Sequence, residues 1–264
     1  MITSNPFSDL SAMIPAAGMQ AYVVLMFLLV VGGTLLDVRH KRSAQYFFEN
    51  KQRAEAAKER TLGTGTKFSV AIKTLATDIL ASAEFTNQKR RLAHLLTMYG
   101  FILFVVTTVI MIFGYASADA ATPVLWPLLW HLGALMVCVG GYWFWFKMRV
   151  DVAAEGHPWY QVMRADLFVL SLLATTTLAL VWSLFQSMGP GVLTTLFFGL
   201  FVIASTTLFG TVLWSKFAHM FFKPAAALQK RLAEADGSRD NLPAPADQPA
   251  QFGLGIKREL PQHY

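Results

Sequence analysis

Five stretches without a single Asp, Glu, Lys or Arg, residues 17–36, 95–115, 124–146, 167–185 and 192–214, constrain this chain more than anything else in it. Each is close to the ~20 helical residues that cross a hydrocarbon core of roughly 30 Å. The apolar runs are continuous rather than alternating. An amide in hydrocarbon must find its partner within its own segment, so helices rather than barrel strands are the spanning form. Only 14% of the residues are charged, against about 25% in a soluble domain. The expected fold is all-α: an integral membrane bundle of five transmembrane helices. No basic n-region precedes the first block and no small-residue cleavage pattern follows it, so a retained helix is expected rather than a removed signal.

Charge then predicts which side faces the cytoplasm. Residues 37–94 carry 12 Lys/Arg, residues 147–166 carry 3 and residues 215–264 carry 7, which accounts for all 22. With five spans, these three segments fall on one side, and the positive-inside bias makes that side cytoplasmic. The N-terminus is then outside and the C-terminus cytoplasmic. The net charge of +6 reads as sidedness and attraction to lipid headgroups, not as a nucleic-acid footprint. The chain accordingly divides into residues 1–36 with the first span, a cytoplasmic amphipathic connection over 37–93, a four-helix membrane core over 94–222 and a flexible cytoplasmic tail over 223–264. In the connection, Phe68, Ile72, Leu75 and Ile79 recur at helical spacing. Two readings stand: a helix lying on the membrane lipid, or a docking face for a soluble partner. The outer loops, 116–123 and 187–191, are too short for a domain, so chemistry is expected to face inward.

A single cysteine, Cys138, excludes disulfides within the chain, Cys-ligated clusters and thioether-bound haem. Histidine is then the residue type to follow, since neutral imidazole is a common axial ligand for haem. His40 and His263 sit in polar flanks, and His157 sits in a Gly-His-Pro turn. His94 opens the second span behind Arg90 and Arg91; His219 follows the fifth span, between Lys216 and Lys223. The topology puts both at one depth on the cytoplasmic rim, where they could be the axial pair of one haem, with those four cations as partners for its propionates. Rings at a membrane interface for their amphipathicity alone are the competing explanation. His131, in the outer half of the third span, could bond a quinone carbonyl or a backbone carbonyl of the next helix.

The run Arg91-Leu92-Ala93-His94-Leu95-Leu96-Thr97-Met98-Tyr99-Gly100-Phe101, on to Thr107-Thr108, resembles the second helix of a superfamily of membrane cytochromes b. The run Trp214-Ser215-Lys216-Phe217-Ala218-His219-Met220 resembles the end of its fifth. The superfamily includes the gamma subunit of respiratory nitrate reductase and the membrane subunits of heterodisulfide reductase and of the quinone-interacting membrane oxidoreductase. The resemblance covers about residues 90–225 and implies two haems b held by histidine pairs on the second and fifth helices. His94 and His219 match the cytoplasmic pair. The outer pair would fall near Phe104 and Phe201, and no histidine stands there, so one haem b rather than two is expected. A short member without an iron–sulfur domain is most similar to the membrane anchor of dissimilatory adenylylsulfate reductase.

The resemblance therefore implies a subunit of a bacterial cytoplasmic (inner) membrane that passes electrons between a soluble cytoplasmic oxidoreductase complex and quinone, with no catalytic site of its own. The alternative is a haem-free anchor for the same enzyme. A transporter is disfavoured, because the spans contain neither a charged residue nor a pair of broken helices. The orientation is checked directly: a reporter fused after Tyr264 should be cytoplasmic and one inserted near Ala118 external, and reversed labelling would overturn the sidedness.

Overall fold

In the computed structural model the five apolar blocks form five helices long and apolar enough to cross a membrane. The structure describes residues 2–40, 43–83, 85, 87–117, 120–150, 156–215, 219–238, 251–252 and 256–257. The elements are α1 (Pro6–Leu10), α2 (Ala16–His40), α3 (Ser43–Ala56), α4 (Thr64–Thr74), α5 (Gln88–Gly114), α6 (Leu125–Trp143), α7 (Leu167–Met188), α8 (Val192–Gly210) and α9 (His219–Asp236). Helix α4 continues as a π turn, Leu75–Leu80, and α6 as another, Phe144–Met148. The spans are α2, α5, α6 with its π turn, α7 with the 3-10 turn before it, and α8. The chain falls into two compact units, Met1–Asp37 with Leu92–Ala218, and Val38–Arg91 with His219–Tyr264.

Within the first unit each span meets the next. Helices α5 and α6 approach at pairs of small residues two turns apart. A Cβ on Gly133 would lie 2.7 Å from the Phe104 amide nitrogen and 2.8 Å from the Gly100 carbonyl oxygen, and one on Gly140 would lie 2.6 Å from the Ala93 carbonyl oxygen. Without a hydrophobic drive between helices in lipid, this close backbone approach is what holds a pair together. Helix α6 meets α7 through side-chain bonds: the Tyr142 hydroxyl lies 2.9 Å from Thr177 Oγ1. Rings join α7 to α8, with Phe185 stacked on Phe197 at 5.1 Å. Helix α2 joins α8 where the Tyr22 hydroxyl lies 3.2 Å from the Val202 carbonyl oxygen and 2.9 Å from Thr206 Oγ1. It joins α5 where the Gln20 side-chain amide donates to the Ile112 carbonyl.

Helix α1 closes one end of this bundle. Asn5 caps it by accepting from the Phe7 amide, and Pro6 occupies the first helical position, where its missing N–H costs nothing. The Asn5 side-chain amide donates to the Tyr115 carbonyl at 2.9 Å, and Phe7, 3% exposed, inserts between Trp130 and Trp182.

In the second unit, α9 packs on α3 and α4. Arg231 of α9 grips both carboxylate oxygens of Asp78 at 2.7 and 2.6 Å, and the Arg60 guanidinium donates to the Ala235 carbonyl. Hydrogen bonding from Arg231 holds the Asp78 carboxyl below the usual carboxylate range. The contribution of this pair is therefore complete above the ordinary carboxylate pKa and is lost as pH falls through the lowered one.

Two sequence expectations change here. Residues 223–236, expected in a flexible tail, are helical, because Arg60 and Asp78 tie α9 down despite Pro224 within it; residues 239–250 lie outside those described. The fourth residue of the amphipathic stripe is Leu80, 47% exposed, whereas Ile79 is half-buried. The π turn bonds amides five residues apart rather than four, which widens the turn and shifts the stripe from Ile79 to Leu80.

The α5–α6 contact gives a stability test. Gly133→Val should lower the thermal midpoint of the detergent-solubilised protein, at an overpacking cost of about 1–3 kcal/mol. Gly199→Ala, where a Cβ meets nothing within 4 Å, should leave it unchanged or raise it.

Candidate functional site

His94 lies half-buried on α5, and Arg90 stands one turn earlier on the same face. A helix carries i and i+4 side chains together, so any group bound at the His94 imidazole has a guanidinium beside it. Arg90 is half-buried too. Arg91 is engaged elsewhere, its Nε donating to the Ala81 carbonyl at 2.7 Å. Lys223 on α9 sits over the Phe85 ring, 5.6 Å from its centroid. His219 opens α9, but its side chain lies outside the described residues, as does Lys216. His94 belongs to the first unit and His219 to the second, and each is placed on its own helix only. Of the other histidines, His40 is exposed at the end of α2, His157 gives its carbonyl to Arg149, and His263 lies outside the described residues.

His131 is buried at 6% exposure, and both its ring nitrogens are engaged. Nδ1 lies 2.7 Å from the Pro127 carbonyl oxygen. A carbonyl only accepts, so Nδ1 carries the proton, and Nε2 accepts from the Ser183 hydroxyl of α7 at 2.8 Å. The carbonyl partner is one turn back on its own helix, not on the next one. With both nitrogens used, a quinone could bond this ring only by displacing Ser183. The histidine works as a strut between α6 and α7.

The half of the bundle beneath α1 is filled with rings. Phe104 stacks on Trp130 at 5.2 Å, Phe201 stacks on Trp182 at 5.5 Å, and the two tryptophans meet edge to face at 6.5 Å. Trp130 and Trp182 are fully buried. The Trp130 indole N–H donates to Thr108 Oγ1 at 2.8 Å, and that of Trp182 to the Gln186 side-chain oxygen at 3.1 Å. An outer haem would need ligands near Phe104 and Phe201. Those positions hold packed aromatic side chains with no donor atom, so neither can ligate a haem iron. Near the start of α5, His94 and Arg90 stand one turn apart, an imidazole and a guanidinium of the kinds that ligate haem iron and pair with propionates.

Sequence reasoning missed a buried ion pair. Arg149, just past the end of α6, is fully buried, and all five of its N–H donors are used. Nε donates to Asp166 Oδ1 at 3.3 Å and Nη2 to Asp166 Oδ2 at 2.5 Å; the rest go to the carbonyls of His157, Pro158 and Gln161. The guanidinium also lies 4.3 Å from the Trp145 ring centroid. Asp166 in turn accepts from the Met163 amide, at the entry to α7. By sequence Arg149 is one more basic residue of a loop that also carries Asp151, Glu155 and Asp166, and nothing there singles out Asp166 as its partner. Asp37 likewise stands in a charged flank by sequence. In the structure it is 3% exposed near the end of α2, with the buried Thr34 hydroxyl one turn before it.

A groove of about 330 Å³ runs between α2 and α5, lined by Val23, Val24, Phe27, Leu28, Val31, Val109 and Phe113. It offers no polar group to fix a headgroup, so it can take an acyl or isoprenoid chain but not recognise one. Among the described residues no cluster of three or more His, Cys, Asp or Glu is placed to hold a metal ion. No protein-family model, no curated protein and no solved structure matches this chain.

The Arg149 clamp yields a mutational expectation. Arg149→Ala strands a buried carboxylate, which costs about 3–5 kcal/mol. The double variant Arg149→Met with Asp166→Leu, which leaves no charge behind, should recover much of the lost midpoint in thermal unfolding in detergent.

Proposed function

We propose that this chain is the membrane subunit of an oxidoreductase complex, passing electrons between a soluble cytoplasmic enzyme and quinone through one haem b held by His94 and His219. The observation that carries the reading is the contrast between the middle of α5 and its N-terminal end. Phe104 is locked in a filled aromatic core, while His94 emerges half-buried beside Arg90 where the span ends. This contrast supports ligation at His94 and argues against it at Phe104 and Phe201.

Bound between two imidazoles, a haem supplies one-electron transfer. The chain's own part is ligation and setting. His94 offers an imidazole at the edge of the bundle, where it is half-buried. Arg90 places a positive charge one turn away, which favours a propionate. Ala93, next to His94, packs its carbonyl under Gly140, so the α5 backbone at the ligand is fixed by its neighbour. Quinone binding is assigned to the chain but not to His131, whose ring is already satisfied. The finer reading, an anchor like that of adenylylsulfate reductase in a bacterial inner membrane, rests on the overall pattern of the resemblance. A haem-free anchor is the second reading, supported by the packing of α9 on α3 and α4 in the second unit, which gives the chain a folded part outside its spans.

A dithionite-reduced minus oxidised spectrum of protein purified from haem-replete cells separates the two. The proposal expects a low-spin b-type signal and one haem per chain by pyridine haemochrome assay. His94→Ala and His219→Ala should each abolish the signal, and His131→Ala should keep it. Intact protein with no haem would establish the bare anchor, and two haems per chain would show that the ligands lie elsewhere.

A further inference from the structure

The helix formed by α4 and its π turn is inverted relative to a helix in water. Phe68 is 67% exposed, Ile72 52%, Leu75 50% and Leu80 47%, and they form one stripe. Thr74, buried, and Thr77 and Asp78, half-buried, lie on the other side, where Arg231 takes both Asp78 oxygens and reaches Thr77 Oγ1 at 3.4 Å. A helix on the surface of a soluble protein packs its apolar stripe inward and its polar side toward water. Here the side fastened to the protein is the one that carries Thr74, Thr77 and Asp78, along with the half-buried Val70, Ala71 and Ile79, and the larger apolar side chains face away. The Asp78–Arg231 pair therefore decides which way the stripe faces.

The occupant is identified by charge and by chain connection. Lys67 and Lys73, both exposed, follow the two edges of the stripe. The segment lies between two spanning helices in the chain, and residues 37–94 carry twelve Lys/Arg against six Asp/Glu. An apolar stripe with lysines along its edges, on a chain fixed in a bilayer, matches the boundary between anionic headgroups and acyl chains. We infer that Phe68, Ile72, Leu75 and Leu80 insert into that boundary, and that Asp78 and Arg231 act as the clamp that turns them to it. The inference is independent of the haem.

The test uses full-length protein with Cys138→Ala and one new cysteine, Ile72→Cys on the stripe or Thr66→Cys on the far side, labelled with a polarity-sensitive fluorophore. The protein is reconstituted in vesicles of phosphatidylcholine with phosphatidylglycerol. Acyl chains carrying bromine should quench the label at 72 and not at 66, and aqueous iodide should do the reverse. Asp78→Asn or Arg231→Met should abolish the bromolipid quenching at 72, and the exchange Asp78→Arg with Arg231→Asp should restore it. A label at 72 reached by iodide but not by bromolipid would overturn the proposal and leave the stripe for a protein partner. Equal quenching in pure phosphatidylcholine would overturn the anionic preference, and unchanged quenching in the single variants would overturn the clamp.

Discussion

Once a backbone has satisfied its own amides in a helix, lipid gives two helices little reason to meet, and what remains is contact and a few polar bonds. Among the described residues such a contact joins α5 and α6, where Gly100, Gly133 and Gly140 let backbone touch backbone. Much of the first unit follows from it. With α5 pressed on α6, Phe104 reaches Trp130, Thr108 reaches the Trp130 indole, and the carbonyl beside His94 lies under Gly140. An added methyl at any of these glycines would move the ring stack and the histidine together.

Polar bonds then set which helix follows which. His131 with Ser183, Tyr142 with Thr177 and Tyr22 with Thr206 each join neighbouring spans. Such bonds are worth about 0.6 kcal/mol on average in a membrane, so they choose neighbours more than they hold them. Arg149 is of another kind. Its five donors gather three loop carbonyls and Asp166 into one fold of chain, and this fixes where α7 begins.

The spans were legible because their signal is length without charge, which needs no partner to interpret. The boundaries were less so: α5 starts at Gln88, ahead of its basic run, because Lys and Arg are good helix formers and nothing in that run breaks the helix. Ile79 was misplaced by one residue because a π turn leaves no mark in an apolar pattern. Phe104 and Phe201 could be read as positions lacking histidine, but not as ring partners of Trp130 and Trp182, since that pairing joins four helices distant in sequence. For the same reason His131 could be recognised as unusual without Ser183, 52 residues on, being visible as its partner. His94 and Arg90 were legible together because one helix carries both.

The filled aromatic half carries a consequence for energy conservation. A carrier with redox centres at both membrane faces moves electrons against or along the membrane potential, which is worth about 2.3 kcal/mol per charge at 100 mV. With Phe104, Trp130, Trp182 and Phe201 packed where the resemblance would put a second centre, the carrier proposed above would exchange its electrons near a single face. If quinone took up its protons at that same face, the reaction would be electroneutral. The free energy released by the soluble partner would be stored only in the reduced quinone, and other enzymes of the membrane would convert it into a proton gradient.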